Sequence, residues 1–425
     1  MSLSVHSILA IALFGLLSGL FGGLPASCHA ADDTTTEEGW KMRDGRFYDD
    51  GEWVFLKIAK PLRNFGSQAE VDQLIADLDI LQEKDYNTVG INCYWHHLDP
   101  EGDGEISVSL EPLNRLINAI HDRGMYATLC VETYAVGGGV IPPGFWDRHP
   151  DAVAINGNGE EVYDVEYGFG SRVPSQFSPE YLEYSRRFIR NLTAGIDHEK
   201  VLFFETTVEP QYMGRQSLCY SDHARNAYEA WVLENDVADA PPWPDSLPAP
   251  SSFVEHPVWN HFRAVALADW VNGDMAAFRD VAGQDAWIAV DYLETGGGEM
   301  HYRLGDPVTF LENLGRVEII QVNWHWNKQT RRPNMVAYEN VQKVNRDWAI
   351  SEHMTMNGSD YRPDEVSDVL HNTLENGTRF GWEFVNIAPS SDDPFSHYND
   401  DWSPKPLIAE VDDNWDYWME QVRAE

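Results

Sequence analysis

From residue 54 onward, short apolar runs alternate with longer stretches in which apolar positions return every three or four residues. The short runs are 54–62, 88–95, 126–133, 200–208, 286–294, 317–325, 348–354 and 379–386, each rich in Val, Ile, Phe or Tyr. Their length predicts strands rather than helices. The intervening stretches 68–84, 110–123, 179–192, 222–234, 257–281, 338–346, 363–375 and 406–422 read as amphipathic helices, several opening on Asp, Ser or Pro. Eight strands separated by helices predict a (β/α)8 TIM barrel as a single domain over residues 31–425. An open doubly wound sheet is the competing fold, but no glycine-rich phosphate loop follows the first strand. Two insertions interrupt the alternation, 134–178 after the third strand and the proline-rich 238–256 after a helix. In a barrel the loops after strands shape the active face, so the first insertion is the expected pocket wall.

Composition narrows the partners. The 425 residues carry 69 acidic and 30 basic side chains, a formal charge of -39. Such a surface repels phosphate backbones and anionic lipid alike, so nucleic acid is not an expected partner. The long apolar run 8–24, followed by small residues up to Ala30, reads as a secretory signal peptide over 1–30, which places the protein outside the cytoplasm as secreted or periplasmic. Cys28 leaves lipid attachment as the alternative. The glycines within the run and Pro25 directly after it argue against a lasting membrane span. Beyond the leader remain Cys93, Cys130 and Cys219, too few for a disulfide framework and without a CxxC pair. Cys93 and Cys130, within apolar strands, are expected to pack as small hydrophobes.

The active face of a barrel lies where its strands end, so acids at strand ends are the informative residues. The fourth run ends in Glu209-Pro210 and the seventh carries Glu352-His353. Retaining glycoside cleavage needs two carboxyls about 5–5.5 Å apart, one protonated and one ionised. Strand ends four and seven face each other across the mouth, which suits that pair. Here the sequence resembles the clan A glycoside hydrolases, and within them family 42, the β-galactosidase family. The segments that carry the likeness are NTVGINCYWHHLDPEGDG, PPGFWDRHPDAVAINGNGEEV, GSRVPSQFSPEYLEYSRRFIRNL, VEPQYMG, CYSDHARNAYEAWV, VWNHFRAVALADWVNGDM and WEFVNIAPSSDDPFSH, in that order between residues 54 and 397. The resemblance implies Glu209 as acid/base and Glu352 as nucleophile. It also has departures. Val208 stands where the family usually has Asn before the acid/base, and Cys219 is alone where relatives often cluster cysteines around zinc, so no metal and no cofactor is expected.

Glu205, two pleats before Glu209, is expected to be buried and hydrogen-bonded rather than the proton donor. Glu132, Asp291, Glu294 and Glu383 also lie near strand ends, where a structural ion pair is the competing role. Sugars present apolar C–H faces, so aromatic platforms are expected at the mouth. His96, Tyr292, Trp326 and Trp382 are the candidates for substrate binding, with core packing as the alternative for each aromatic. The family likeness adds Arg172 of GSRV, for which a surface salt bridge is the alternative. His96 and His97, if in a strand, point to opposite faces, and the chain has no HExxH, which argues against a catalytic metal. The function expected is therefore a secreted retaining β-glycosidase, β-galactosidase-like, acting on a carbohydrate substrate. A clan A endo-hydrolase on glucan, mannan or agar and a saccharide-binding barrel without catalysis are the alternatives.

Overall fold

The computed structural model describes residues 39–134, 140–164, 170–213, 219–243, 256–293, 300–323, 326–327, 332–333, 335–344, 346–354 and 362–424. The leader 1–30 and Cys28 lie outside them, as do Glu294, Trp324, His325 and much of the second insertion. No described helix is long and apolar enough to cross a membrane.

The chain begins with a three-stranded antiparallel meander, β1 (Trp40–Arg43), β2 (Arg46–Asp49) and β3 (Glu52–Val54). Its two turns are Asp44-Gly45 and Asp50-Gly51, and all four residues have positive φ, from 47° to 87°. That is the conformation the Asp-Gly pair favours in two-residue hairpins. The meander caps the lower end of the barrel. Phe47, fully buried, packs with Leu56, Ile58, Phe203, Ile319 and Phe380, and the Tyr126 hydroxyl donates to Asp49 at 2.7 Å.

The barrel is closed and parallel. Its strands are β4 (Leu56–Lys60), β5 (Thr88–Tyr94), β6 (Tyr126–Glu132), β7 (Val201–Glu205), β8 (Ile288–Leu293), β9 (Ile319–Asn323), then, after a short hairpin of β10 (Trp326–Asn327) with β11 (Arg332–Pro333), β12 (Ala349–Met354) and β13 (Gly381–Val385). β13 pairs with β4 to complete the ring. All eight apolar runs of the sequence become barrel strands in the expected order. The helices agree as closely, from Gln68–Glu83 to Pro363–Glu375, while 406–422 divides into Pro406–Asp412 and Trp415–Ala424.

Strand residues alternate between lumen and helix layer, and adjacent residues in register share a side. Lys60, Glu205, Gln321 and Glu383 bond to one another and so define the lumen row. Trp382, one residue from Glu383, packs outward on Trp415 and Trp418 of the last helix. This two-row alternation assigns every other strand residue.

Candidate active site

Glu209 lies beyond the end of β7, where the chain leaves the sheet. Its φ is +48°, a region that costs a non-glycine residue about 1–3 kcal/mol unless its surroundings hold it. The holding bonds are plain. The Glu209 amide donates to Asp291 Oδ2 at 3.1 Å, the Val208 amide donates to Glu132 Oε2 at 3.2 Å, and the Thr207 hydroxyl donates to the same oxygen at 2.9 Å. The bend turns the Glu209 carboxyl into the mouth of the barrel, where Asn323 Nδ2 donates to Oε1 at 2.6 Å and Gln211 Nε2 donates to Oε2 at 3.1 Å. Arg303 in turn donates to the Gln211 side-chain oxygen, so a cation stands one bond behind the acid.

Burial pushes the Glu209 carboxyl up to about 7, against the opposing pull of Arg303, Gln211 and Asn323 and with a further push from the charge of Glu132. A carboxyl so placed holds its proton near neutrality and has a hydrogen-bonded frame that fixes where the proton points. That is the requirement for a general acid.

Beneath it lies a charged layer. Lys60 Nζ donates to both oxygens of Glu205, at 2.9 and 2.7 Å, and to Glu383 Oε1 at 3.0 Å, all within the closed lumen. Glu205 is therefore the buried, hydrogen-bonded group expected of it, and burial together with Glu383 raises it to about 8 despite Lys60. Glu132, nearer the mouth, accepts from Asn92 as well as from the two groups of the 207–208 segment. Asp291 is pushed well up by burial and by its neighbours Glu209 and Glu205.

Glu352 does not join this group. It is in register with Val322 and Trp382, both members of the outward row, while its neighbour Ser351 aligns with Gln321 and Gly381 in the lumen row. Its carboxylate accepts from the Tyr338 hydroxyl of the Val336–Val344 helix at 2.6 Å, and that hydroxyl also bonds Thr378 Oγ1 at 2.9 Å. The expectation that Glu352 faces Glu209 across the mouth is thus corrected. The strand has the expected acid but the opposite phase, and a fully buried carboxylate on that side is satisfied by a helix-layer tyrosine.

Two proposed platforms are corrected for the same reason. Tyr292 lies in the outward row, stacked on Phe310 at 6.2 Å with its hydroxyl accepting from Asn340. Trp382 is enclosed by Phe55, Trp415 and Trp418 and donates from Nε1 to Thr373 Oγ1 at 2.9 Å. A Trp382→Phe variant is accordingly expected to lose about 1–3 kcal/mol of stability, for the lost bond and packing, and to leave KM unchanged. Urea titration beside saturation kinetics checks both halves.

Arg172 sits in an irregular antiparallel ribbon of the first insertion, bridged to Tyr163, and pairs with Glu161 at 3.4 Å on the surface. The structure bonds it there and not to the Glu209 cluster. His96 belongs to a helical turn, Trp95–Leu98, at the end of β5, so its ring lies 4.1 Å from that of His97 instead of on the opposite face. It remains at the mouth, half-buried, with its pKa lowered by burial. Trp326 opens β10, and its side chain lies outside the described residues.

Lys60, Gln211, Arg303 and Asn323 are absent from the sequence expectations. Lys60 and Asn323 had a signal, a polar residue two positions beyond another lumen residue at the end of an apolar strand. Gln211 and Arg303 had none, since they meet only through the folding of two loops. No cluster of three metal-binding side chains occurs among the described residues. A cavity of about 490 Å3 lined by Trp40, His198, Val201, Asp285 and Trp287 lies at the opposite, lower end of the barrel and so stands apart from Glu209.

Residues 66–237 match the family model of glycoside hydrolase family 42, described as beta-galactosidase. The matched span contains Glu209 and stops short of strands β8 to β13. Among solved structures, the beta-galactosidase from the psychrophilic Marinomonas ef1 is similar over 87% of this chain and 60% of its own, with 14% identity and a TM-score of 0.61. The beta-galactosidase from Bacillus circulans sp. alkalophilus is similar over 86% and 56%, with 13% identity and a TM-score of 0.64. An exo-beta-1,4-mannosidase from Opitutaceae bacterium strain TAV5 follows at 90% and 62%, with 14% identity and a TM-score of 0.54. The chain thus spans about three fifths of the length of these proteins, and the likeness is one of fold. A comparison with curated proteins found no match.

Proposed function

We propose that this barrel, most like family 42 and carrying the clan A glycoside hydrolase fold, cleaves β-glycosidic bonds, with Glu209 as the group that protonates the departing oxygen. One observation carries the reading: a buried carboxyl at the end of the fourth barrel strand keeps its proton to about pH 7 within a rigid hydrogen-bonded frame. In the first step the proton passes from Glu209 to the glycosidic oxygen as the C–O bond breaks. In the second the ionised Glu209 takes a proton from the water that attacks the anomeric carbon.

A terminal β-galactoside is the substrate, in keeping with two of the similar structures being beta-galactosidases. The leader over 1–30 makes the enzyme an exported one that meets carbohydrate outside the cytoplasm. A panel of aryl and alkyl β-galactosides, β-mannosides and β-glucosides, with the anomer of the first-formed product followed by NMR, tests the proposal. Hydrolysis of the β-galactoside with retention is expected. Failure to hydrolyse any member sinks it.

The outward turn of Glu352 favours a second reading, a barrel that binds saccharide without cleaving it. The same panel separates the two, since a pure binder turns over nothing.

The protonation of Glu209 also fixes a pH dependence. The active form is the protonated one, so kcat/KM is expected to stay level below neutrality and to decline through a single ionisation at about 7 as pH rises. A profile from pH 5 to 9 on an alkyl galactoside, whose poor leaving group needs the proton, checks the position of that limb.

A further inference from the structure

We propose that Arg303 is a positioning residue of the acid: it fixes which end of the Gln211 amide faces Glu209, and so sets the pH at which the carboxyl gives up its proton. This rests on the hydrolase reading and deepens it, since the same carboxyl has to lose a proton in the first step and accept one in the second.

A guanidinium only donates hydrogen bonds, whereas an amide side chain donates from one end and accepts at the other. Arg303, on the short helix Met300–Leu304 after β8, donates to Gln211 Oε1. The amide is therefore held with Nε2 toward Glu209, to which it donates at 3.1 Å. Asn323 Nδ2 donates to the other carboxyl oxygen at 2.6 Å. Both oxygens of Glu209 thus accept from N–H groups, an arrangement that favours the ionised form. A reversed Gln211 would present its oxygen instead, which only the protonated carboxyl can meet with a bond, and the proton would be held in place. Arg303 forbids that reversal, because it would set donor against donor.

Arg303 is itself fixed. Its carbonyl accepts from the Tyr212 amide at 2.7 Å, so its backbone and side chain grip adjacent residues of the loop that follows Glu209. Arg263, on the long helix Pro257–Ala282, donates to the carbonyls of His301, at 2.7 Å, and of Tyr302, and its guanidinium stands 4.5 Å from the centre of the Tyr212 ring. Gln176 Nε2 donates to the Gln211 carbonyl at 3.0 Å. All of these side chains are buried. The charges around Glu209 call for such a counterweight. Glu132 and Asp291 meet the 207–209 segment from the two neighbouring strands, and the layer beneath sets Glu205 and Glu383 against Lys60. Burial and Glu132 raise the Glu209 carboxyl, while Arg303, Gln211 and Asn323 oppose the rise. Of those three, Arg303 alone carries a charge.

The test is the pH profile of kcat/KM on an alkyl β-galactoside for the wild type, Arg303→Met, Arg303→Lys and Gln211→Met. Arg303→Met is expected to move the alkaline limb up by about one pH unit, the lower end of what a nearby opposite charge is worth to a carboxylate. At pH 8 it then keeps about half of its own plateau, where the wild type keeps about a tenth. Gln211→Met retains the cation but loses the donor, and should move the limb in the same direction by less. Arg303→Lys restores a cation that only donates, and should bring the limb back toward the wild-type position. A limb that stays in place in Arg303→Met, with or without a uniform loss of rate, overturns the proposal. So does a limb that moves in Arg303→Met and not in Gln211→Met, for the amide then has no part in it. Gln211→Met leaves the backbone bond between Arg303 and Tyr212 intact, so it decides the matter if Arg303→Met fails to fold. If the wild type hydrolyses no glycoside, the hydrolase reading falls and this role with it; if it hydrolyses and the limb alone fails to move, only the role of Arg303 falls.

Discussion

Glu209→Gln is expected to lower kcat/KM on an alkyl β-galactoside by about 10²- to 10⁴-fold, the usual worth of a positioned general acid. The amide preserves the size of the side chain and can still meet Asn323 and Gln211 after rotation, so the frame survives and the proton does not. The loss should depend on the leaving group. A dinitrophenyl galactoside needs no proton for departure, and its bond-breaking step should be slowed far less than that of the alkyl glycoside. The alkaline limb at about 7 should vanish in the variant, because the group that titrates there is gone. Three measurements follow: kcat/KM on the two substrates and the pH profile on the activated one. A uniform loss on both substrates with the limb intact would assign the proton to another group.

The architecture was legible in the chain because parallel strands in a barrel are buried on both faces and so appear as continuous apolar runs. All eight did. Glu209 was legible too, as an acid next to Pro210 where such a run ends and the chain must leave the sheet. What the sequence leaves open is the phase. In a strand buried on both sides, inward and outward positions are equally apolar, so nothing in WAISEHM says whether Ser351 or Glu352 faces the lumen. Closure of the ring decides it, through the register with β9 and β13. Trp382 and Tyr292 were misplaced by the same ambiguity. The N-terminal meander is different, since its two Asp-Gly pairs, set six residues apart, were a hairpin signal that the barrel pattern overshadowed. The polar network was illegible for another reason: Lys60, Gln211, Arg303 and Asn323 are scattered over more than half the chain, and only tertiary folding makes them neighbours.

Lys60 gives that network its largest expected effect on stability. It faces two carboxylates, Glu205 and Glu383, and all three side chains are at most 1% exposed. Lys60→Met keeps the length and apolar stem but removes the charge, and breaking a buried ion pair from one side costs about 3–5 kcal/mol. The cost should depend on pH in a definite direction. Without the cation Glu205 is raised in the folded protein still further above its unfolded value, so the native state holds a proton that the unfolded chain has released. Stability then declines as pH rises from the unfolded carboxyl range through the raised folded value. Glu205 already titrates at about 8 in the presence of Lys60, and its removal can only extend that window upward. The deficit of Lys60→Met relative to wild type, from urea unfolding, should therefore be smaller at pH 7 than at pH 9.5. Equal deficits at the two values would mean that Lys60 contributes through packing and not through charge, and that the layer beneath Glu209 is held together by its shape.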